Sequence, residues 1–163
     1  MKLTRSLAVS GALLGIAAYC CAAGAGTREG KQALDAKQYD KAFKELMPEA
    51  AKGDPEAQYI LARMYQAGWG TPKNLKKARA FFGQAAKLGH VPSQKEYGAA
   101  LALGDGVEQD VNEGLKWLYI AAQNGNSSAA EYAAQFSKSF PRTVVSEARR
   151  AAHRWNREHN EAN

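Results

Sequence analysis

Cysteine is scarce: the 163 residues hold two, Cys20 and Cys21, both close to the start. If that segment is removed, the remaining chain has no thiol to serve as a nucleophile and no disulfide to hold it together, so packing alone must hold its core. Charge is nearly balanced as well. The 22 Lys and Arg against 16 Asp and Glu leave +6, an excess too mild to argue for nucleic acid as the partner. Histidine is limited to His90, His153 and His159, poor candidates for catalysis because the first falls in an expected turn and the others in an expected C-terminal helix and its end. What remains, 45% hydrophobic and 23% charged residues, fits one ordinary soluble domain after any targeting segment is removed and excludes a large multidomain enzyme.

The first uncharged run is an address. Lys2 and Arg5 precede an apolar stretch through Ala23, and the small residues Ala23-Gly24-Ala25 close it. This is the pattern of a secretory signal peptide over residues 1–25, with cleavage expected after Ala25 or after Ala23, and it implies a periplasmic or secreted protein. The run is too interrupted by Gly, Ala and Ser to read as a lasting membrane span. Lipid attachment at Cys20 or Cys21 is the alternative, but Tyr19 stands where such signals place a small residue. Without Lys2 and Arg5 the chain keeps 20 basic and 16 acidic side chains, or +4.

The rest repeats itself every 36 residues. Residues 55–90 laid over 91–126 match Gln58 to Gln94, Gly68 to Gly104, Gly70 to Gly106, Ala85-Ala86 to Ala121-Ala122 and Gly89 to Gly125. The same register pairs Leu61 with Tyr97, Ala62 with Gly98, Phe81 with Trp117 and Phe82 with Leu118. Such a period reads as a solenoid of supersecondary units. Upstream, Tyr39, Ala42, Leu46 and Ala50 fall onto Leu75, Ala78, Phe82 and Ala86, so the second half of a unit is expected before the first full one. Downstream, Ala129 and Ala133 fall onto Ala57 and Leu61.

Each unit carries two stretches with apolar spacing of three and four, the mark of paired amphipathic helices. The first should stop at Gly68, which can close a helix in the left-handed conformation. The second should start after Asn74 and after Asp110, good N-caps, with Glu113 completing a capping box. Beyond Pro141 the period breaks. Val144, Val145, Ala148, Ala151, Ala152 and Trp155 form one stripe opposite Arg149, Arg150, Arg154 and Arg157, which predicts a capping helix and tail over 141–163, after a solenoid over 26–140. A basic amphipathic helix of this kind can also lie on an anionic surface. The fold class predicted is all-α, an α-solenoid of helix-turn-helix repeats with a C-terminal capping helix.

The string from Ala57 to Gly70, followed by Ala78 to Phe82 and Ala85-Ala86-Lys87-Leu88-Gly89, resembles the Sel1-like repeat, a relative of the tetratricopeptide repeat. The second copy is similar through Gly104 to Asp110, Lys116-Trp117 and Ala121 to Gly125, and residues 39–54 resemble the leading helices of small exported bacterial members. The resemblance spans about residues 30–138 and implies a module that binds proteins or peptides, with no reaction common to the family. Gly114 departs from the Ala usual in the second helix, which suggests a looser second repeat. Members that pair cysteines within each repeat are a different subgroup.

Catalytic, metal and cofactor sites are not expected. Asp105, Glu108, Asp110 and Glu113 lack the alternating oxygen ligands of a calcium loop. Gly26-Thr27-Arg28-Glu29-Gly30-Lys31 has the wrong glycine spacing for a phosphate loop. Asn126-Ser127-Ser128, formally a glycosylation sequon, and His90 both fall in turns that the repeat explains. If Ala57, Leu61 and Tyr65 face the second helix, Tyr59, Arg63 and Gln66 point away from it, and the stripe continues through Lys95, Ala99 and Ala102 to Glu131, Gln135 and Lys138. Tyr59, Arg63, Gln66 and Lys95 are the candidate partner-binding residues, although any solvated helix face looks similar. Two functions follow: a non-enzymatic protein- or peptide-binding scaffold, or an exported hydrolase or binding protein acting on cell-wall material.

Overall fold

The computed structural model describes residues 25–161, so the expected export signal lies, but for Ala25, outside the described residues. Eight α-helices follow one another: α1 Ala25–Asp35, α2 Tyr39–Ala51, α3 Pro55–Ala67, α4 Leu75–Lys87, α5 Val91–Leu103, α6 Val111–Gln123, α7 Ser127–Phe136 and α8 Arg142–Glu161. A single 3-10 turn, Ser137–Ser139, precedes α8, and no strand occurs among the described residues. Substantial packing is confined to helices adjacent in the chain and to α6 against α8, the neighbour-only pattern of an α-solenoid.

The caps repeat with the register. Asp54, His90 and Asn126, 36 positions apart, start α3, α5 and α7 by accepting backbone N–H groups, at 2.9 and 3.0 Å for Asp54, 3.3 Å for the His90 ring nitrogen and 2.9 Å for Asn126. Asn74 and Asp110 do the same for α4 and α6 at 2.9 Å. Gly68 and Gly104 close α3 and α5 at φ 80° and 73°. The capping box at α6 is only half formed. The Asp110 N–H is already donated to the Leu101 carbonyl at 2.9 Å, and the Glu113 carboxylate turns instead to Lys116 and to the Trp117 indole N–H, 2.9 Å away.

The first unit is more complete than its sequence suggests. In place of a lone second half, α1 packs along α2 to make a full helix pair. Its buried face is Thr27, Gly30 and Ala33, without a large apolar side chain, so it leaves no hydrophobic stripe to read. A Cβ at Gly30 would stand 2.5 Å from Leu46, so the missing side chain is what lets α1 lie down on α2.

The core runs as a continuous stack between the two helix layers, from Leu46, Leu61 and Met64 through Phe82 to Leu115, Leu118 and Ile120, all fully buried. Aromatic rings span successive units: Phe43 and Phe81 flank Tyr65 at 5.6 and 5.8 Å, and Trp117 lies between Tyr97 at 6.0 Å and Trp155 at 5.3 Å. Through Ala148, Ala152 and Trp155, α8 seals the last unit.

The second repeat is tighter than the first. A Cβ on Gly114 would approach the Ala102 backbone nitrogen to 2.6 Å, and one on Gly98 would approach the Gly114 carbonyl oxygen and Leu118 nitrogen to 2.9 Å. The corresponding pair in the first repeat is Ala62 and Ala78, both fully buried. Glycine at 114 therefore brings α5 and α6 into backbone contact, contrary to the looser packing its departure from Ala suggested.

Candidate partner-binding cleft

The connections from α3 to α4 and from α5 to α6 hold the same Gly-x-Gly turn, and its second glycine presses on the preceding unit. Gly70 sits at φ 63° against Tyr39, where a Cβ would be 2.6 Å from the carbonyl oxygen, and Gly106 sits at φ 73° against Leu75, where it would be 3.0 Å away. Left-handed backbone and close approach both demand glycine here. Each unit is thereby keyed to the start of the earlier second helix.

Arg79 strengthens this key at one junction. Its side chain is buried, donates from Nε to the Asp105 carbonyl oxygen at 2.9 Å, pairs through Nη2 with the Asp105 carboxylate, and lies 5.6 Å from the Phe82 ring centre. A buried guanidinium needs such partners. Sequence reasoning missed it, although a signal exists: the register places Arg79 between Phe43 and Leu115, a cation at an otherwise apolar position.

Above this junction α3, α5 and α7 present one side to solvent and enclose a cleft of about 480 Å3. Gln66 stands at one end and Gln135 at the other; Lys95, Ala99 and Leu103 come from α5, and Glu131 and Tyr132 from α7. Lys95 and Glu96 form an ion pair at 3.3 Å on the rim. Tyr132 is stacked on Phe136 at 5.9 Å, and Leu103 is largely exposed. Amide groups, paired charges and the smaller apolar share from Ala99, Ala100 and Leu103 can hold main-chain and side-chain groups of an extended polypeptide without a deep, dry pocket.

The predicted stripe is split. Gln66 and Lys95 meet in the cleft, together with Ala99, Glu131 and Gln135. Tyr59 does not point away from the second helix; it is half-buried, with its ring 5.8 Å from Phe82 and 4.9 Å from His90. Arg63 is exposed and donates to the Tyr59 hydroxyl at 3.3 Å, away from the cleft. Ala102 is fully buried, because Gly114 draws α6 onto it. Lys138 lines a separate depression with Arg142 and Arg149.

His90 does more than make a turn. Besides capping α5 it contacts Glu56 through Nε2 at 3.1 Å, and Glu56 accepts from Lys31 at 2.6 Å, a polar chain joining α1, α3 and the start of α5. Burial opposes ionisation of Glu56, but hydrogen bonds and charge from Lys31 and His90 outweigh it and hold the carboxyl below its ordinary range. Lys31 is raised chiefly by its hydrogen bond to Glu56. Burial, then the charges of Glu113 and Asp110, pushes the Tyr97 hydroxyl up.

Among the described residues no group of three or more His, Cys, Asp or Glu is placed to hold a metal ion. Asp105 faces Arg79, Asp110 caps α6 and Glu113 serves Lys116 and Trp117, so the acidic stretch is dispersed. No described helix is long and apolar enough to cross a membrane.

A family model described as Sel1 repeat matches residues 55–90 and 91–126. The fold is similar to that of a protective antigen present in uropathogenic Escherichia coli strains and displaying an SLR fold, with a TM-score of 0.76 and 24% identity over 82% of this chain and 29% of that one. It is also similar to a Sel1 repeat protein from Oxalobacter formigenes, with a TM-score of 0.64 and 25% identity over 78% of this chain and 53% of that one. The chain thus spans less than a third of the first and about half of the second.

Proposed function

Since the chain carries two Sel1 repeats, which are generally protein–protein interaction modules, we propose that it is a non-enzymatic scaffold that holds an extended polypeptide in the cleft formed by α3, α5 and α7. The single observation carrying this reading is the convergence of Gln66, Lys95, Ala99, Glu131 and Gln135, contributed by the first helices of three successive units, on one open concavity. Repeat modules bind in this way because stacking presents equivalent positions at regular intervals along one surface. The charged first residues and the apolar run to Ala23 support a place of action in the cell envelope or outside it.

A photo-crosslinking amino acid tests the reading in intact cells. Placed at Ala99 or Leu103, it should form discrete polypeptide adducts that weaken when Lys95→Glu reverses the rim charge; placed at the exposed Lys44 of α2, which does not line the cleft, it should not. Equal adducts from all three positions, or adducts indifferent to Lys95→Glu, would remove the cleft as the binding surface.

A further inference from the structure

Of the nine arginines in the chain five lie on α8, which has no lysine, whereas the 13 lysines all lie elsewhere. Arg149 turns back over the Tyr119 ring at 5.0 Å, but Arg150, Arg154 and Arg157 stay exposed beside His153 around one shallow depression. Their spacing of four and three puts them in a single stripe about 10 Å long. On the helical wheel this stripe is opposite Ala148, Ala152 and Trp155, so the arginines stand on the face of α8 farthest from the core. Arg150 bonds only to Ser146, at 3.2 and 3.3 Å, and among the described residues none of the α8 arginines is ion-paired, although Lys31, Lys52, Arg79, Lys95 and Lys116 all are.

We infer that this outer face of α8 docks on an anionic phospholipid surface. Sealing the solenoid requires only the buried side of the helix and places no demand on the other. Arginine in place of lysine suits a phosphate, since the planar guanidinium fork donates two hydrogen bonds to two oxygens of one group. An acidic protein is the weaker fit: Ser146, Glu147, Arg150, His153, Arg154, Arg157 and Glu158 supply neither aromatic nor aliphatic anchor, whereas protein interfaces are built around such an anchor and deplete charge at their centre. A short, fully polar stripe on the outer side of α8 needs no pocket in its partner, and a sheet of headgroup phosphates offers none.

The test is co-sedimentation of the chain, as cells accumulate it, with phosphatidylcholine vesicles with and without phosphatidylglycerol. Arg150→Gln/Arg154→Gln/Arg157→Gln is compared with Lys41→Gln/Lys44→Gln/Lys73→Gln, which removes equal charge from other exposed positions. Binding should depend on phosphatidylglycerol, weaken in high salt, and fall about 100-fold in the α8 variant, at about fivefold for each basic residue near the surface, but only a few-fold in the other. All six positions are solvent-exposed, so unchanged helical circular dichroism and melting should accompany the loss. Equal loss in both variants, binding indifferent to phosphatidylglycerol, or tight binding to immobilised polyglutamate without binding to vesicles would overturn the inference, the last in favour of an acidic polypeptide.

Discussion

Replacing Gly114 by alanine should destabilise the protein, against the ordinary rule for glycine in a helix. In a solvated helix that exchange stabilises by about 1 kcal/mol, because glycine loses more backbone freedom on folding. Here the new Cβ would meet the Ala102 nitrogen at 2.6 Å and the Ala102 Cβ at 2.9 Å, well inside the distance at which non-bonded atoms attract. Neither contact can yield by a rotamer change, so α6 must move away from α5, and Trp117, Leu118 and Leu101 lose contact as it does. Overpacking of this kind costs about 1–3 kcal/mol, sometimes more, and the upper part of that range exceeds the propensity gain. The expected net loss is about 1–2 kcal/mol, or about 2–4 °C in Tm for each of them. Urea and thermal unfolding followed by circular dichroism measure it. Adding Gly98→Ala supplies a second check: helices already spread accept the second methyl more cheaply, so the double variant should lose less than the sum of the singles. A Gly114→Ala protein about 1 kcal/mol more stable than wild type would show that α5 and α6 have room for a side chain.

Trp117→Ala should cost about 3–5 kcal/mol in a denaturant melt, since it removes a buried ring that contacts Tyr97 and Trp155; an unchanged midpoint would place the ring at the surface. Arg79→Ala should cost about 2 kcal/mol, below the usual range for breaking a buried pair because Asp105 remains in water's reach, and Arg79→Leu should recover most of it by matching Leu115 in the register; equal melts for the two variants would contradict the packing described. The lowered Glu56 carboxyl contributes stability above its ordinary titration range, and that contribution disappears as pH falls through the folded value. Wild-type and Glu56→Gln melting temperatures should therefore converge below about pH 4, and a constant gap from neutral pH to pH 3 would refute the role of the Lys31–Glu56–His90 chain.

Part of the cleft was legible in the sequence because it follows the repeat. Gln66 and Lys95 share a stripe by helical spacing, and they do meet at the cleft. Tyr59 and Ala102 were misplaced for one reason: a wheel treats the helix as facing one neighbour, whereas α3 and α5 each pack against a helix on either side in the stack. The face carrying Ala57 and Leu61 packs on α2, which leaves Tyr59 to the second helix of its own unit through Phe82, and the backbone contact at Gly114 of α6 claims Ala102. Arg79 and Asp105 are 26 residues apart and belong to different units, so local periodicity gives no reason to join them.

From its sequence alone this chain determines the period of its repeat, the residues that start and stop the helices of the two full units, and most of the side chains that those helices hide. These are local properties, set by backbone conformations open to glycine, by side chains that reach the nearest free N–H, and by the spacing of apolar groups. Only the tertiary structure decided that α1 belongs to the stack, that glycine at 114 tightens the second repeat, and that three helices from different units enclose one cleft. Those outcomes depend on distances between segments far apart in the chain, where a few tenths of an ångström between backbones separate close packing from collision.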